Sequence, residues 1–432
     1  MRNSSQSTLT VSRETGDPAA LYGLWVGGSV DGAVLLVDFT LPQWWLENEP
    51  PVSLVAIYAK EAGRALYAVT DQAMSIDEFA DYACFGDWAS SRELAVFAPG
   101  RATGLQLTRI PKPWGQEIWF TGVEARGVCC FSDGRFASPI PWVQAAAPDA
   151  GQGVPGAPLV LLKILDPAPQ EVVGDLYFEL HEEKREVYVV THVDATAWPE
   201  GRGGIRFGFD AERLESSASH DAFRAEYLQA VRSYEQVRRQ IDGLPDGKSA
   251  PQPLLDEERS KRELMNDFTH TRSLEVGDVV VVPLLMPHSL QHGVRTIEFQ
   301  TPVYERQILS FGQKVLTQDH WDTAAAVQQM RLTPPPEAPF EILSSKDDVI
   351  VERIVDFPDF EVRRVTIAAG AAMSHSVRGS YQLLMLIEGE LELDGLLLSA
   401  ESAAFLPSER SFELCSVDPS RALILLLALP RI

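Results

Sequence analysis

Cysteine is scarce in this 432-residue chain, and positive charge is in deficit. The four cysteines, at positions 84, 129, 130 and 415, are too few and too scattered for a disulfide framework, and their spacing fits no zinc finger. We therefore expect reduced thiols in a reducing, cytoplasmic compartment. The 61 acidic residues exceed the 37 basic ones, which gives a net charge of −24. We expect the chain to bind neither nucleic acid nor anionic membranes, because both require clustered Lys and Arg.

Long hydrophobic runs are also absent. No stretch reaches the roughly 18 apolar residues that a membrane-spanning helix requires, and the polar N-terminus lacks the apolar segment of a signal peptide. Residues 1–18 are rich in Ser and Thr and are expected to be disordered. The hydrophobic content of 45% and the charged content of 23% are typical of a globular protein. The length allows two or three domains.

Three parts of the chain differ in pattern. Residues 1–107 contain short apolar runs and predict an α/β or β-rich module of unknown role. Residues 108–333 alternate strand patterns with a helical insertion at about residues 208–270. After the linker Pro334-Pro335-Pro336, residues 334–432 show repeated short strands and glycine turns, which predict an all-β barrel or jelly roll. The strands predicted there are Phe360–Ile367, Gln382–Ile387, Glu390–Leu393, Ala404–Leu406 and Leu423–Leu429.

One group of residues has the spacing of a metal site. Glu179 and His181 are two apart in a predicted strand, so their side chains share a face. After a polar turn, Glu186 begins another strand, and we interpret the two strands as a hairpin. Much later, a glycine turn at Gly277, a strand and a proline-bounded turn deliver His288. Two carboxylates and two imidazoles suit one Zn²⁺ per chain, with Mn²⁺ or Fe²⁺ as alternatives.

The combined pattern resembles the two sequence motifs of the cupin superfamily. It reads Gly174-x4-Glu179-x-His181-x4-Glu186, followed by Gly277-x5-Pro283-x4-His288. Here a glutamate replaces the first histidine of the first motif, and Leu285 replaces the glycine of the second. The resemblance implies a mainly β fold of two cupin jelly-roll barrels with the helical insertion, beside the N-terminal module. It also implies that the barrel at residues 108–333 binds the metal and that the barrel at residues 334–432 is metal-free.

A more specific resemblance, to type I mannose-6-phosphate isomerases, covers about residues 108–430. The segment from Lys112 to Gly115 is similar to a Lys-Pro-Trp-Gly motif of that family, and the segment from Glu298 to Arg306 is similar to its run from a glutamate to an active-site arginine. The family interconverts mannose 6-phosphate and fructose 6-phosphate through an enediol, with a bound Zn²⁺. The resemblance implies metal ligation by Glu179, His181, Glu186 and His288, and catalytic roles for Glu298, Lys184 and Arg306.

Three departures from the family pattern concern the substrate. Glu179 replaces a glutamine, and Tyr177 replaces a serine that helps to bind the substrate. The loop between His181 and Glu186 is shorter than usual. These departures favour an altered sugar or sugar phosphate as the small-molecule partner.

Two other functions stay open at this point. One is an enzyme of another class on the same scaffold, such as an Fe(II) dioxygenase, and the other is a non-catalytic sugar-binding or regulatory bicupin. Lys184, Arg306 and Lys163 suit a sugar phosphate, whereas a dioxygenase needs a more apolar pocket. Intact metal ligands argue against a binding module, which has no need of them.

Overall fold

The computed structural model describes residues 9–148, 156–245 and 248–431. The fold is mainly β, which confirms that part of the prediction. Two compact units are distinguished. One spans residues 1–108, 119–161 and 340–432, and the other spans residues 109–118 and 162–339. The division into domains at 1–107, 108–333 and 334–432 stays a prediction. Within the described ranges, no helix is long and apolar enough to cross a membrane.

The first part of the chain forms a four-stranded sheet with short helices. Its elements are β1 (Thr10–Thr15), α1 (Pro18–Val26), β2 (Ala33–Leu41), β3 (Val52–Glu61), β4 (Arg64–Thr70), a 3₁₀ turn (Ile76–Phe79) and α2 (Phe85–Ser91). Strand β1 runs parallel to β2, so the expected disorder of residues 1–18 is wrong for this segment. Arg13 donates hydrogen bonds of 2.6 and 2.7 Å to Asp38 of β2, an ordering contact that composition does not reveal. Residues 1–8 lie outside the described residues.

The next segments supply strands to several sheets. They are β5 (Thr103–Gln106), β6 (Thr108–Lys112), β7 (Gly115–Trp119), β8 (Val123–Glu124), β9 (Gly127–Val128), β10 (Cys130–Ser132), β11 (Ala137–Pro139) and α3 (Ile140–Ala146). The Lys-Pro-Trp-Gly motif forms the connection from β6 to β7. Gly115 has φ of +143°, and a Cβ there would lie 2.3 Å from the carbonyl oxygen of Asp166, so the position requires glycine. Trp114, beside it, is buried in the core.

The region of the predicted metal site contains two sheets. Its elements are β12 (Leu161–Pro167), β13 (Phe178–Leu180), β14 (Glu186–Val193), β15 (Gly203–Phe209), α4 (Ala211–Ser216), α5 (His220–Asp242), α6 (Gln252–Asn266), β16 (Thr269–Leu274), β17 (Val279–Val282), β18 (His288–Leu290), β19 (Val294–Gln300), β20 (Gln307–Ser310) and α7 (Thr323–Gln329). The six-stranded sheet has the order β17-β14-β19-β12-β7-β6, and the five-stranded sheet has the order β16-β15-β18-β13-β20. We call this pair the site sheets. Apolar side chains from both sheets pack into one core between them.

The interpretation of residues 176–190 as a hairpin is wrong. Strand β13 pairs with β18 and β20, whereas β14 pairs with β17 and β19 in the other site sheet. The connection from His181 to Glu186 therefore passes from one sheet to the other. Alternation of side chains identifies a strand but not its pairing partner, and a short polar turn suits both a hairpin and a crossing between sheets.

The helical stripe predicted near residues 211–241 corresponds mainly to α5. Ser219 caps this helix by accepting a hydrogen bond from the backbone N–H of Ala222. The buried face of α5 packs against the aromatic core beneath the five-stranded sheet. Its buried residues are Phe223, Tyr227, Ala230, Val231, Tyr234 and Val237.

The end of the chain is a series of short strands. They are β21 (Glu341–Lys346), β22 (Val349–Asp356), β23 (Phe360–Ile367), β24 (Ala372–Val377), β25 (Gln382–Glu388), β26 (Leu391–Leu393), β27 (Leu396–Leu398), β28 (Ala403–Leu406), β29 (Arg410–Cys415) and β30 (Leu423–Pro430). We call β21–β30 the C-terminal strands. A nine-stranded sheet joins several of them to β5, β10 and β11, and β24 pairs with β29. The five strands predicted here are observed, with shifts of a residue or so at their ends.

Candidate metal centre

Three of the predicted ligands converge in the five-stranded site sheet. Glu179 of β13 lies directly opposite His288 of the neighbouring strand β18. His181 follows two residues after Glu179, where strand alternation returns a side chain to the same face. One ligand atom from each of these three side chains lies within 4.8 Å of the other two. This group is compact enough to hold one metal ion.

The fourth predicted ligand, Glu186, enters from the other site sheet. Its Oε1 lies 3.5 Å from Nε2 of His181, and its Oε2 lies 3.1 Å from Nε2 of His288. The same carboxylate contacts Lys184 Nζ at 2.7 Å and accepts a 2.6 Å hydrogen bond from the hydroxyl of Tyr188. Burial alone would raise the pKa of Glu186, but Lys184 and the two imidazoles hold that pKa well below its usual value. The carboxylate is therefore ionised.

Both imidazoles present the same nitrogen to the cluster. Nδ1 of His181 donates to the carbonyl oxygen of Glu305, and Nδ1 of His288 donates to that of Met286, each at 2.9 Å. In a neutral ring, a carbonyl bound at Nδ1 leaves Nε2 as the acceptor, a common arrangement around metal-binding histidines. This applies to His181, whereas Nε2 of His288 lies 3.1 Å from Glu186 and donates to it when that ring is protonated. Nε2 of His181 is buried and has no hydrogen-bond partner among the described residues.

The protonation of the two rings differs. Burial, reinforced by Lys184, lowers the pKa of His181 well below its ordinary value, so this ring is neutral and able to ligate. Burial also lowers the pKa of His288, but the hydrogen bond to Glu186 and the negative charges of Glu186 and Glu179 together outweigh burial and raise that pKa. The site therefore offers nitrogen and oxygen donors together. They come from the imidazoles of His181 and His288 and from the carboxylates of Glu179 and Glu186, and such a set fits a divalent ion such as Zn²⁺.

Leu285 explains how the second motif works without its glycine. Its φ of +65° lies in the left-handed region that glycine adopts without strain. The backbone N–H of Leu285 donates a 2.7 Å hydrogen bond to the carbonyl oxygen of His181, and its carbonyl accepts from Arg331. The turn before His288 is thus bonded directly to the residue that carries the other imidazole.

A row of alternating charges crosses the six-stranded site sheet. Lys112 of β6 contacts Glu117 of β7 at 3.2 Å. Lys163 of β12 lies 3.7 Å from Glu117 and 3.2 Å from Glu298 of β19. Glu298 in turn lies opposite Tyr188 of β14. Strand order places these residues side by side, so the row ends next to Glu186.

Glu298 is the most unusual carboxyl group of this row. It is 1% exposed, and its Oε1 has no hydrogen-bond partner within the described residues. Burial raises its pKa well above the ordinary value, Lys163 opposes this effect, and Glu186 adds to it. A carboxyl group with a raised pKa, close enough to Glu186 and Lys184 to interact with them electrostatically, is suited to proton transfer.

Arg306 lies where the five-stranded sheet begins its last strand. Its Nη1 is 3.6 Å from Oε2 of Glu179, and its Nη2 donates a 2.8 Å hydrogen bond to Thr317. The guanidinium also lies 4.4 Å from the ring centre of Tyr177. The structure thus brings every sequence-predicted site residue into one region of the site sheets.

Sequence reasoning missed Lys112, Glu117 and Tyr188 as members of this region. From the sequence, Lys163 is identified only as a cation that suits a sugar phosphate, and no contact between it and Glu298 is predicted. A charged residue inside an otherwise buried strand is the signal that could have identified Lys163 and Glu117. Nothing in the sequence identifies Tyr188 as a site residue, because tyrosine is common in buried strands.

Comparisons with known proteins support the fold. No protein-family model matches the sequence, and no curated protein matches it at a significant level. Among solved structures, the chain is similar to mannose 6-phosphate isomerase from Bacillus subtilis, with 14% identity, a TM-score of 0.54, and coverage of 76% of this chain and 99% of that one. A phosphomannose isomerase from Salmonella typhimurium gives 12% identity, a TM-score of 0.54, and coverage of 77% and 100%.

A zinc-bound mannose 6-phosphate isomerase is also similar, with 14% identity, a TM-score of 0.51, and coverage of 77% of this chain and 100% of that one. At these identities the similarity shows a shared, mainly β fold, which is consistent with the cupin-like fold predicted from the sequence. The activities named for these proteins belong to them. They bear on this chain only through the side chains described above.

Proposed function

We propose that this chain is a metal-dependent aldose–ketose isomerase that acts on a sugar or sugar phosphate, of the kind represented by mannose-6-phosphate isomerases. The observation that carries the proposal is the convergence of Glu179, His181 and His288 beside the buried Lys163–Glu298 pair. Metal ligands alone would suit many cupins. A proton-transfer group in an ion-paired, water-poor setting next to them is what an isomerase requires.

The metal would be held by Glu179, His181 and His288, with Glu186 as the fourth ligand. Zn²⁺ fits this donor set, and Mn²⁺ or Fe²⁺ is an alternative. A bound divalent ion polarises the oxygens at C1 and C2 of a sugar and makes the proton on C2 more acidic. The carbonyl bonds to His181 and His288 hold both rings in orientation before an ion binds.

The chain's own residues account for the proton transfer. Glu298 would take the proton from one carbon and return it to the other, because its Oε1 is unsatisfied and its pKa is raised. Lys163, 3.2 Å from Glu298, stabilises the carboxylate when the proton leaves. Lys184 and Arg306 would orient the sugar oxygens and stabilise negative charge developing on them.

Other functions fit the observed side chains less well. A dioxygenase site would need an apolar wall for its substrate, and the wall formed by β7, β12 and β19 carries Glu117, Lys163 and Glu298 instead. A sugar-binding module would gain nothing from a buried, unsatisfied carboxyl oxygen, which costs stability.

A coupled isomerase assay tests the proposal. Metal-loaded protein would be supplied with mannose 6-phosphate and with a panel of other sugars and sugar phosphates, and ketose formation would be recorded. We expect turnover of at least one aldose–ketose pair. An absence of turnover across the panel, with metal bound, would contradict the proposal.

A further inference from the structure

Arg306 is the cation best shaped to bind a phosphate group, but it already lies beside a carboxylate, a hydroxyl group and an aromatic ring. A guanidinium recognises phosphate through two parallel N–H groups. In this structure Nη1 faces Glu179 Oε2 at 3.6 Å and Nη2 donates to Thr317 at 2.8 Å. The flat face is covered by Tyr177, which itself packs on Phe311 with ring centres 4.1 Å apart.

Glu179 can keep this contact while it ligates a metal. Its Oε1 lies on the side of His181 Nε2, 3.9 Å away, and its Oε2 lies toward Arg306. One oxygen is thus directed to the metal cluster and the other to the guanidinium. Tyr177 directly precedes β13 and Glu179 lies within it, and both side chains contact Arg306.

The other cations of the site are paired as well. Lys184 contacts Glu186 at 2.7 Å, and Lys112 contacts Glu117 at 3.2 Å. Lys163 has two carboxylates within 4 Å. All three lysines are at most 13% exposed. Each of the four cations that the structure places here would have to exchange an existing carboxylate for a phosphate group.

The turn between the site sheets adds negative charge. Glu182 and Glu183 are exposed on it. The carboxylate of Glu305 accepts hydrogen bonds from the backbone N–H groups of these two residues, at 2.8 and 3.1 Å. A phosphate dianion near this turn meets three carboxylates, in a chain whose net charge is −24. A neutral ligand experiences no such repulsion.

We infer that the substrate of the proposed isomerase is an uncharged monosaccharide and that the Glu179–Arg306–Tyr177 contact determines this preference. The inference rests on the proposed function. Hydroxyl groups donate and accept hydrogen bonds, so a sugar can bind between paired carboxylates and ammonium groups without separating them. A phosphate group must compete with Glu179 for Arg306.

The decisive measurement compares matched substrates. Metal-loaded wild-type protein is assayed with aldoses and with their 6-phosphates, for example mannose and mannose 6-phosphate. We expect kcat/KM to favour the neutral sugar by about tenfold or more, because bringing a phosphate dianion against the carboxylates of the site costs at least that much. Inorganic phosphate at millimolar concentration should not inhibit turnover of the sugar.

Each outcome of this assay is informative. Higher kcat/KM for the 6-phosphate would overturn the inference and leave the proposed isomerase function intact. Turnover of neither member of any pair, with metal bound, would overturn both. Turnover of the neutral sugar alone, or with the expected preference, supports both.

A variant tests the contact itself. Glu179→Gln removes the charge that neutralises Arg306 and keeps the shape of the side chain. We expect it to strengthen inhibition by a 6-phosphate about tenfold relative to wild type, because one charge-assisted partner of Arg306 is lost. Metal content is measured in parallel. Unchanged inhibition in a metal-loaded variant would overturn the role given to Glu179.

Glu352→Gln is the matched control. Glu352 is paired with Arg364 at 2.7 Å on the C-terminal strands, and its side chain is 19% exposed, close to the 16% of Glu179. The control should bind 6-phosphates as the wild type does. A similar gain in the control would show a general charge effect and would overturn the assignment to Arg306.

Discussion

The site sheets and the C-terminal strands are built from the same kind of short antiparallel strand, yet their interiors differ. Across the six-stranded site sheet, neighbouring strands place Glu117, Lys163, Glu298 and Glu186 in a buried row. On the C-terminal strands the buried positions are almost entirely aliphatic, as at Val365, Leu384 and Leu425. The site sheets hold buried charges, which destabilise the folded state unless they are paired. The C-terminal strands are stabilised mainly by the burial of apolar side chains. Strand architecture alone therefore does not make a site, and the site sheets are distinguished by a continuous row of buried charged side chains.

The largest effect is expected at Glu298. Glu298→Gln preserves the size of the side chain but abolishes proton transfer, so kcat should fall about 10²- to 10⁴-fold. Metal content should not change, since Glu298 is not among the proposed ligands. The measurement combines steady-state kinetics on the best substrate with metal analysis. Full activity in a metal-loaded variant would show that the charged row is not catalytic, and the contrast between the two regions would lose its functional meaning.

The second effect tests the aliphatic interior. Leu425 is fully buried among the C-terminal strands, and Leu425→Ala should lower the free energy of unfolding by about 2–5 kcal/mol. Urea unfolding monitored by tryptophan fluorescence measures this loss. Metal stoichiometry of the folded protein should stay the same. Leu397, 64% exposed, is the control, and its replacement by Ala should change stability by less than about 0.5 kcal/mol.

A smaller effect concerns His375, a buried titratable group on the C-terminal strands. Its ring bonds Gln382 through Nε2 at 2.7 Å, and burial lowers its pKa below 6.5 despite that bond. The folded state therefore binds fewer protons than the unfolded state. Stability from this residue is complete above the unfolded pKa and is lost as the pH falls below about 6.5 toward the lowered folded value.

The His375 prediction is measured by unfolding at two pH values. Between pH 7.5 and 5.5 the wild type should lose more stability than His375→Gln, which cannot take up a proton. Other groups titrate equally in both proteins, so the difference isolates this ring. Equal losses in the two proteins would contradict the assignment of a lowered pKa.

The positions of many strands could be predicted from residue patterns, because each strand is specified by residues that are close together in the sequence. The strands from Phe360 to Pro430 are short apolar or partly alternating runs, several of them next to glycine turns, so their positions are encoded within each segment. Strand pairing is not local, and residues 176–190 were misassigned as a hairpin for that reason. The ordering of β1 by Arg13 and Asp38 was equally invisible, because the partners are far apart in the sequence.

In the candidate site, too, contacts between residues that are distant in the sequence could not be predicted. Glu179 and His181 could be grouped by their spacing, and His288 by its motif. The row formed by Lys112, Glu117 and Lys163 depends on which strands become neighbours in a sheet, and that information lies in tertiary packing. The pairing of Glu179 with Arg306 likewise joins β13 to the segment before β20, and no sequence pattern indicates it.

The metal content of natively purified protein tests the central claim most directly. Mass-spectrometric metal analysis should find about one equivalent of Zn²⁺ or a similar divalent ion per chain. Glu186→Ala and His288→Ala should each lose most of that ion while the unfolding cooperativity of the protein is retained. A folded wild-type protein that contains no divalent metal, and takes up none when it is titrated, would contradict the account.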